Sequence, residues 1–330
     1  MRVENIQDPF GRNITYLRLS VTDRCDFRCT YCMAEKMDFV PRSEILTLEE
    51  CLLIAGTFVS LGVDKIRLSG GEPLVRKDLA WLAAGIRELR GLRELALTTN
   101  GSQLANLAAP LAQAGVNRVN ISLDSVNPAT FARITRTGNL QQVLDGLDAA
   151  IAQWGSRNIK LNAVLLRGIN HHEVHDLVDF ALAREVDISF IEQMPLGSVS
   201  YRRADSYYGN DEALAEIRLR HEMIPSAETS GGPARYWRIP GHAPRIGFIS
   251  PHSHNFCGDC NRMRVTARGE LFPCLGNEGT VDLLPAVRAG DEAGLRALIL
   301  QAAAAKPQAH HFDPAQAQPA ILRFMSHTGG

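Results

Sequence analysis

The chain has 330 residues, of which 45% are hydrophobic, and its 35 Lys and Arg against 36 Asp and Glu give a net charge of −1. A chain of this length and composition can bury a large core, which excludes a disordered protein or a disulfide-held miniature. The near-neutral charge argues against a general nucleic-acid binder and against a membrane-surface protein, because both need a basic field.

Strand-like and helix-like segments alternate along the first two-thirds of the sequence. Predicted strands cover 16–22, 65–69, 94–99, 117–123, 159–165 and 187–193. Predicted helices cover 48–61, 78–89, 102–114, 140–154 and 173–184. Six strand-then-helix units in succession predict an α/β fold with a parallel sheet covered by helices.

Side-chain polarity along these strands favours a barrel over a doubly wound sheet. Alternate positions are polar, as at Arg18 and Arg67, and the positions between them are apolar, as at Leu17 and Ile66. A sheet covered by helices on both faces would be apolar at both sets of positions. We therefore expect an incomplete (βα)6 TIM-type barrel whose polar lumen holds a large polar ligand.

The sequence changes in texture after Pro195. Strand-like segments at 236–239, 245–249 and 262–267 and helical segments at 284–288 and 293–305 follow a Gly-rich linker. We expect two units, a partial barrel over 1–225 and a C-terminal α+β extension over 226–330 that closes the barrel.

The seven cysteines form two groups of three and one single residue. The N-terminus does not resemble a signal peptide and no apolar run is long enough to span a membrane, so we expect a cytoplasmic protein. Clustered cysteines in that compartment are more often metal ligands than disulfides. The single residue, Cys51, lies in a predicted helix and is expected in the core.

The first group, Cys25-x3-Cys29-x2-Cys32, follows the first predicted strand, at the end of the barrel where active sites lie. A loop with this spacing can place three thiolates around a four-iron cluster and leave one iron open. Zinc would need a fourth ligand, and no other Cys or His is near this loop. The spacing, with Tyr31 before the last cysteine, resembles the signature of the radical S-adenosylmethionine (radical SAM) superfamily.

A second motif, Ser69-Gly70-Gly71-Glu72-Pro73, ends the second predicted strand. Its glycines allow backbone to approach a ligand closely, and Glu72 can accept a hydrogen bond from an ammonium group. The motif resembles the element with which the superfamily binds the amino group of SAM.

The second group, Cys257-x2-Cys260-x13-Cys274, also supplies three thiols. With His252 or His254 as a fourth ligand it would suit zinc, so the spacing alone leaves zinc and an iron–sulfur cluster open. Beside a radical SAM loop we favour a second four-iron cluster with one open iron.

Two arginines lie two and four residues after Cys260 in the sequence. Arg262 and Arg264 would point to the same side of a strand, and guanidinium groups suit phosphate oxygens. This pattern favours a site that holds phosphates beside the second cluster.

Together these motifs resemble the GTP 3′,8-cyclase family of radical SAM enzymes, which acts in molybdenum cofactor biosynthesis. The matching segments are 16–23, 25–32, 67–74, 97–101, 257–264, 274 and 329–330. The resemblance therefore covers nearly the whole chain.

The resemblance implies a lyase that converts GTP to (8S)-3′,8-cyclo-7,8-dihydroguanosine 5′-triphosphate. It implies two [4Fe-4S] clusters and SAM as cofactors, with a 5′-deoxyadenosyl radical that abstracts the ribose 3′ hydrogen before the 3′ carbon attacks guanine C8. The implied SAM contacts are Tyr31, Gly71, Glu72, Ser122 and Met194. The implied GTP contacts are Arg18, Arg67, Thr98, Lys160, Arg262, Met263 and Arg264.

The resemblance also implies a catalytic role for Gly329 and Gly330, because the family's tail enters the active site. The implied partners are an electron donor such as flavodoxin or ferredoxin, the next pathway enzyme, cyclic pyranopterin monophosphate synthase, and a second copy in a homodimer. No nucleic acid or membrane is expected. Three residues depart from the family's pattern: Asp26 replaces Asn, Gly276 replaces Phe and Thr328 replaces Ile.

Two other functions remain open from the sequence. A radical SAM peptide-modifying maturase also carries a cluster after its barrel, although usually with more than three cysteines there. A zinc-stabilised RNA-binding protein would need a fourth zinc ligand and a basic face, and the charge balance gives no sign of such a face.

Overall fold

A mixed sheet of twelve strands is the centre of the described structure. The computed structural model describes residues 5–199, 201–310, 312–313 and 321–329. The strands are β1 (Tyr16–Ser20), β2 (Lys65–Ser69), β3 (Glu94–Thr99), β4 (Arg118–Ser122), β5 (Ile159–Val164), β6 (Asp187–Ile191), β7 (Ile224–Ser226), β8 (Arg235–Arg238), β9 (Arg245–Ile249), β10 (Arg262–Val265), β11 (Glu270–Phe272) and β12 (Val281–Asp282). They lie in the order β12-β11-β10-β1-β2-β3-β4-β5-β6-β9-β8-β7.

Eight neighbouring strands of this sheet are parallel: β10, β1 to β6, and β9. The six predicted strands are present and pair in chain order, which confirms the repeated strand–helix units. The expected closure is wrong, because the sheet is open. Strands β10 and β9 pair with β1 and β6, so the C-terminal residues extend both edges of the six-stranded region instead of joining them.

Eleven α-helices are present in the described ranges. They are α1 (Leu48–Ser60), α2 (Leu79–Arg87), α3 (Leu104–Gln113), α4 (Pro128–Thr135), α5 (Leu140–Trp154), α6 (Val174–Ala183), α7 (Arg203–Ser206), α8 (Asn210–Ile217), α9 (Leu284–Arg288), α10 (Glu292–Ala304) and α11 (Met325–Thr328). None of them combines the length and the apolar character that a membrane crossing needs.

The apolar strand positions and the inner helix faces form the hydrophobic core. Leu17, Leu19, Ile66 and Leu68 are fully buried there, as the strand alternation predicts. Cys51 of α1 is also fully buried in this core, so the expectation for the single cysteine is confirmed.

Candidate active site

One cavity collects polar side chains from the sheet and from the C-terminal residues. Side chains of β1, β2, β4, β5 and β10 reach it, so the sheet must curve around it. Of the residues predicted for the site, the cavity is lined by Arg18, Cys25, Cys29, Tyr31, Cys32, Arg67, Gly71, Glu72, Thr98, Ser122, Lys160, Met194, Cys257, Cys260, Arg262, Arg264 and Cys274.

Two predicted residues, Met263 and Gly329, do not line the cavity. Met263 is fully buried in the hydrophobic core, because it alternates with Arg262 and Arg264 along β10. The side chain of Met263 therefore does not line the cavity, and the GTP contact predicted for this residue stays a prediction. Gly329 lies against Ser69, a residue of the cavity wall, and Gly330 lies outside the described residues.

The first cysteine group occupies the loop after β1. Its three cysteines are free thiols. Burial raises the pKa of each thiol, and carboxylates raise it further, Glu72 at Cys25 and Asp124 at Cys29 and Cys32. Thiolates in this position need a cationic partner, which is what an iron cluster supplies.

Asp26 places a further carboxylate beside Cys25. Its Oδ1 accepts from Asn100 Nδ2 at 2.6 Å and its Oδ2 accepts from Ser102 Oγ at 2.6 Å. The Sγ atom of Cys25 lies 3.9 Å from Oδ1. The departure from the family's Asn therefore adds an oxygen held against a predicted cluster ligand.

The Gly-Gly-Glu motif packs against the segment that leads into the first cysteine loop. A Cβ on Gly70 or Gly71 would overlap the carbonyl oxygens of Thr22 and Arg24, so this close approach requires glycine. Glu72 is 1% exposed. Its carboxylate accepts from Thr99 Oγ1 and from the main-chain nitrogens of residues 74 and 100, which fixes the motif against the end of β3.

Tyr31 and Ser122 both line the cavity, and Tyr31 is bonded to the residue two positions after the end of β4. The hydroxyl of Tyr31 donates to Asp124 Oδ2 at 2.7 Å, and Asp124 Oδ1 accepts from the main-chain nitrogen of Val164. Burial raises the pKa of Asp124 to about 6, although both hydrogen bonds act against that rise. Asp124 was not assigned a role from the sequence, although it shares the polar strand positions.

The second cysteine group lies in basic surroundings. Cys257 is in a short 3-10 turn, and its carbonyl oxygen accepts from Arg12 at 2.6 Å. Burial would raise the pKa of Cys260, but Arg262 and Lys306 outweigh it and lower the pKa to about 7. This thiol is therefore ready to lose its proton near neutral pH.

Zinc at the second group would need a fourth ligand, for which the sequence offers His252 or His254. Within the described ranges, no three Cys, His, Asp or Glu side chains converge on one metal position. Three thiolates that each bind a different iron do not need to converge. His252 Nε2 bonds to the carbonyl oxygen of Gln193 and His254 Nε2 to Asp211, whereas the buried Nδ1 of His252 has no hydrogen-bond partner within the described part of the chain.

A row of arginines crosses three neighbouring strands. Arg264 of β10 is in register with Arg18 of β1, which is in register with Arg67 of β2. Burial and the neighbouring Arg67 lower the pKa of Arg18 to about 10. Burial and Arg67 likewise lower the pKa of Lys160 well below its usual value. Like charges in adjacent positions destabilise a sheet unless an anion lies between them, so the row is suited to a polyanion.

Tyr16 lies on β1 beside this row of arginines, and no role was predicted for it from the sequence. Its hydroxyl accepts from Arg67 Nε at 2.6 Å, and Lys65 Nζ lies 4.9 Å from the centre of its ring. Burial would raise the pKa of Tyr16, but Arg67, Arg18, Lys65 and Arg262 outweigh it and lower the pKa to about 7.

Several buried polar atoms of the cavity wall have no hydrogen-bond partner within the described part of the chain. They are Ser69 Oγ, Asn120 Oδ1 and Asn162 Oδ1. Buried polar groups are nearly always satisfied, so these atoms fit a bound polar ligand of the size of SAM or a nucleotide.

The C-terminal tail reaches the cavity wall. Arg264 Nη1 donates to the carbonyl oxygen of Gly329 at 2.6 Å. Thr328 is fully buried, so the replacement of the family's Ile still places this residue in the interior.

Family models match most of the chain. The model of the radical SAM superfamily matches residues 19–181, and the model named Molybdenum Cofactor Synthesis C matches residues 186–312. Crystal structures of Streptococcus suis SuiB, bound to S-adenosylmethionine or to the precursor peptide SuiA, share the fold with TM-scores of 0.60 at 15% and 16% identity. The two structures cover 96% and 86% of this chain, which covers 76% and 66% of theirs.

Curated relatives resemble the chain over its full length. The GTP 3′,8-cyclase of Ectopseudomonas mendocina and GTP 3′,8-cyclase 2 of Pseudomonas aeruginosa are each 55% identical over 333 residues, with 100% of both chains covered. Identity of this extent exceeds what a shared fold alone produces. The chain belongs to the GTP 3′,8-cyclase family of radical SAM enzymes.

Proposed function

We propose that this enzyme converts GTP to (8S)-3′,8-cyclo-7,8-dihydroguanosine 5′-triphosphate in molybdenum cofactor biosynthesis. The observation that carries the proposal is the meeting of two three-cysteine groups and a row of arginines in one cavity. Such a cavity can hold two clusters and a triphosphate side by side. The name of the full-length relatives supports the same reaction.

The SAM side of the site would be the end of the cavity at the first cysteine group. Cys25, Cys29 and Cys32 would hold a [4Fe-4S] cluster, and Tyr31, Gly71, Glu72, Ser122 and Met194 would surround SAM. When bound, this cluster and SAM would supply the one-electron chemistry by which the ribose 3′ hydrogen is removed and the 3′ carbon is joined to guanine C8.

Within that end, the chain's own residues hold and position the ligand. The carboxylate of Glu72 holds its motif against the end of β3. The main-chain nitrogens of Gly71 and Glu72 donate to the carbonyl oxygens of Thr22 and Arg24, which ties the motif to the segment before Cys25. The hydrogen bond from Tyr31 to Asp124 joins the cysteine loop to the end of β4. Both contacts restrict the loop that would carry the cluster, which a positioned reaction requires.

The GTP side would lie between the arginine row and the second cysteine group. Arg18, Arg67, Lys160, Arg262 and Arg264 would bind the triphosphate, and bidentate guanidinium contacts suit its oxygens. Thr98, whose Oγ1 accepts from Arg67 at 3.2 Å, would orient that guanidinium. The backbone of Met263 would complete the contact. Cys257, Cys260 and Cys274 would hold the second [4Fe-4S] cluster near the guanine.

The tail would take part in catalysis through Gly329 and Gly330. Gly329 contacts Ser69 and Arg264 at the cavity wall, and its bond to a proposed triphosphate ligand supports this role. A glycine is needed at residue 329, where φ is 76°.

The remaining parts of the proposal concern architecture and partners. The curved arrangement of β1 to β6 would be a (βα)6 partial barrel over residues 1–225, with an extension over 226–330. The enzyme would act in the cytoplasm, take electrons from a donor such as flavodoxin or ferredoxin, and pass its product to cyclic pyranopterin monophosphate synthase. A homodimer is the assembly we propose.

Anaerobic reconstitution followed by product analysis tests the function. We expect about eight irons per chain for two clusters, and formation of 5′-deoxyadenosine with loss of GTP when SAM and a reductant are added. Matched reactions with ATP in place of GTP should give no cyclised product. One tightly bound zinc at the second group, or GTP left unchanged by the eight-iron protein, would contradict the proposal.

A further inference from the structure

The two cysteine groups lie in opposite electrostatic surroundings. Asp26 is held beside the thiol of Cys25 by two hydrogen bonds. Arg28 also approaches this group and donates to the carbonyl oxygens of Cys25 and Phe27, so this cation faces the main chain of the loop, whereas Asp26 lies against the ligand sulfur. The first group therefore has a carboxylate against a ligand sulfur.

Lys306 supplies the opposite charge at the second group. It is 3% exposed and follows the end of α10. Its Nζ donates to the carbonyl oxygens of Arg262 and Pro273, which place the ammonium between the segments that carry Cys260 and Cys274. These acceptors leave the ammonium charge uncancelled next to two ligand residues.

Arg262 also lies beside Cys260 and adds to the positive charge of Lys306, whereas Arg12 is less effective. Arg12 donates to the carbonyl oxygen of Cys257 but also forms an ion pair with Asp8. Its charge is therefore largely compensated, whereas the hydrogen bonds of Lys306 involve neutral carbonyl groups.

We propose that Lys306 raises the reduction potential of the cluster at the second group and that Asp26 lowers the reduction potential of the cluster at the first group. The second cluster is then the easier of the two to reduce. The proposal rests on the proposed function, which supplies the two clusters. Reduction adds one negative charge to a cluster, so a nearby ammonium stabilises the reduced form and a nearby carboxylate destabilises it. Burial limits the screening of the Lys306 charge by salt, and Asp26 is half-buried. The stronger reductant is thereby placed on the SAM side.

Potentiometric titration with dithionite, followed by electron paramagnetic resonance, measures both potentials without SAM or GTP. The full-length reconstituted protein is used, and two triple variants assign the signals. One replaces Cys25, Cys29 and Cys32 by Ala, and the other replaces Cys257, Cys260 and Cys274. In the unmodified protein we expect the second cluster to be reduced at the higher potential.

Charge variants identify the residues responsible. Lys306→Gln should shift the midpoint potential of the second cluster to a more negative value, and Lys306→Arg should restore it. Asp26→Asn, nearly the same shape, should shift the first cluster to a more positive value. Lys77→Gln and Asp145→Asn change the same net charge at exposed positions and should leave both potentials unchanged.

The reverse order of reduction in the unmodified protein would overturn the proposal. Unchanged potentials in Lys306→Gln and Asp26→Asn, with iron content retained, would overturn it as well. If the Lys306→Gln protein loses iron, two results still decide whether the proposal holds. They are the order of reduction in the unmodified protein and the shift of the first cluster's potential in Asp26→Asn. Only four irons per unmodified chain would instead refute the two-cluster part of the proposed function, before any potential is compared.

Discussion

Arg264 donates a hydrogen bond to the carbonyl oxygen of Gly329, and this bond joins β10 to the C-terminal tail. The same guanidinium belongs to the row that includes Arg18 and Arg67. The proposed triphosphate site and the tail therefore share one side chain, so a substitution in either should alter the hydrogen bonds that Arg264 makes to the other.

Deletion of Gly329 and Gly330 should lower the rate of GTP turnover about tenfold or more. It removes a hydrogen bond to a charged group, which contributes about 1.5–3 kcal/mol. Gly329→Ala keeps the chain length but adds a Cβ that would overlap Ser69 Oγ, and it should reproduce most of the loss. GTP consumption is measured beside equilibrium binding of SAM, which should stay unchanged. Full activity of both variants would contradict a role for the tail.

Arg262→Ala and Arg264→Ala should each weaken GTP binding by about 10- to 100-fold, because each removes charge-assisted hydrogen bonds of about 1.5–3 kcal/mol. Binding is measured by calorimetry with the reconstituted protein, and SAM binding serves as the internal comparison. Arg157→Ala, at an exposed position, is the matched control. An unaltered GTP affinity in both cavity variants would refute their assigned role.

Tyr16 should make the stability of the ligand-free protein depend on pH. Its pKa falls to about 7 in the folded protein against about 10 for an unfolded tyrosine. The folded state therefore binds fewer protons between these values, and the free energy of unfolding should rise with pH by at most about 1.4 kcal/mol per unit from this group. The contribution is lost as the pH falls through 7.

Denaturant unfolding at pH 7, 8 and 9 checks this expectation by comparison with Tyr16→Phe. The difference in stability between the two proteins should move in favour of the unmodified chain as the pH rises. A difference that does not change with pH would show that Tyr16 does not ionise in this range.

Gly146→Ala should destabilise the fold by about 1–3 kcal/mol through overpacking. Gly146 lies in α5, and a Cβ there would overlap the carbonyl oxygen of Gly101 at the end of β3. Gly56→Ala in α1 is the matched control, because its Cβ would meet only Leu89 Cδ2 at 3.6 Å. The control should be neutral or stabilise by about 0.5–1 kcal/mol. Equal thermal unfolding of the two variants would contradict the close contact between α5 and Gly101.

The sequence predicted the features that depend on local pattern. Alternation placed Arg18 in the cavity and Leu17 in the core, and α5 has the predicted bounds. The same alternation predicts that the side chain of Met263 points to the opposite side of β10 from Arg262, and it does lie in the core. Helix α4 was missed although Asn127 and Pro128 mark its start, because its eight residues give a weak periodic signal.

Long-range pairing could not be predicted in the same way. The expectation of a closed barrel failed because β10 pairs with β1 and β9 pairs with β6. The local residue pattern does not indicate with which edge of the sheet a strand distant in sequence will pair. The position of Lys306 between the segments of Cys260 and Cys274 likewise depends on tertiary packing. In the sequence it is an ordinary lysine before Pro307.

The parallel pairing of β10 with β1 has a consequence for how the chain matures. During synthesis β1 emerges early, but its partner on this side begins at residue 262. Until then the strand presents an open edge, and so does β6 until β9 is made, which invites pairing with other chains. Contacts this distant in sequence form slowly. A nascent chain that ends near residue 225 should therefore depend on chaperones to keep these two edges from pairing with other chains.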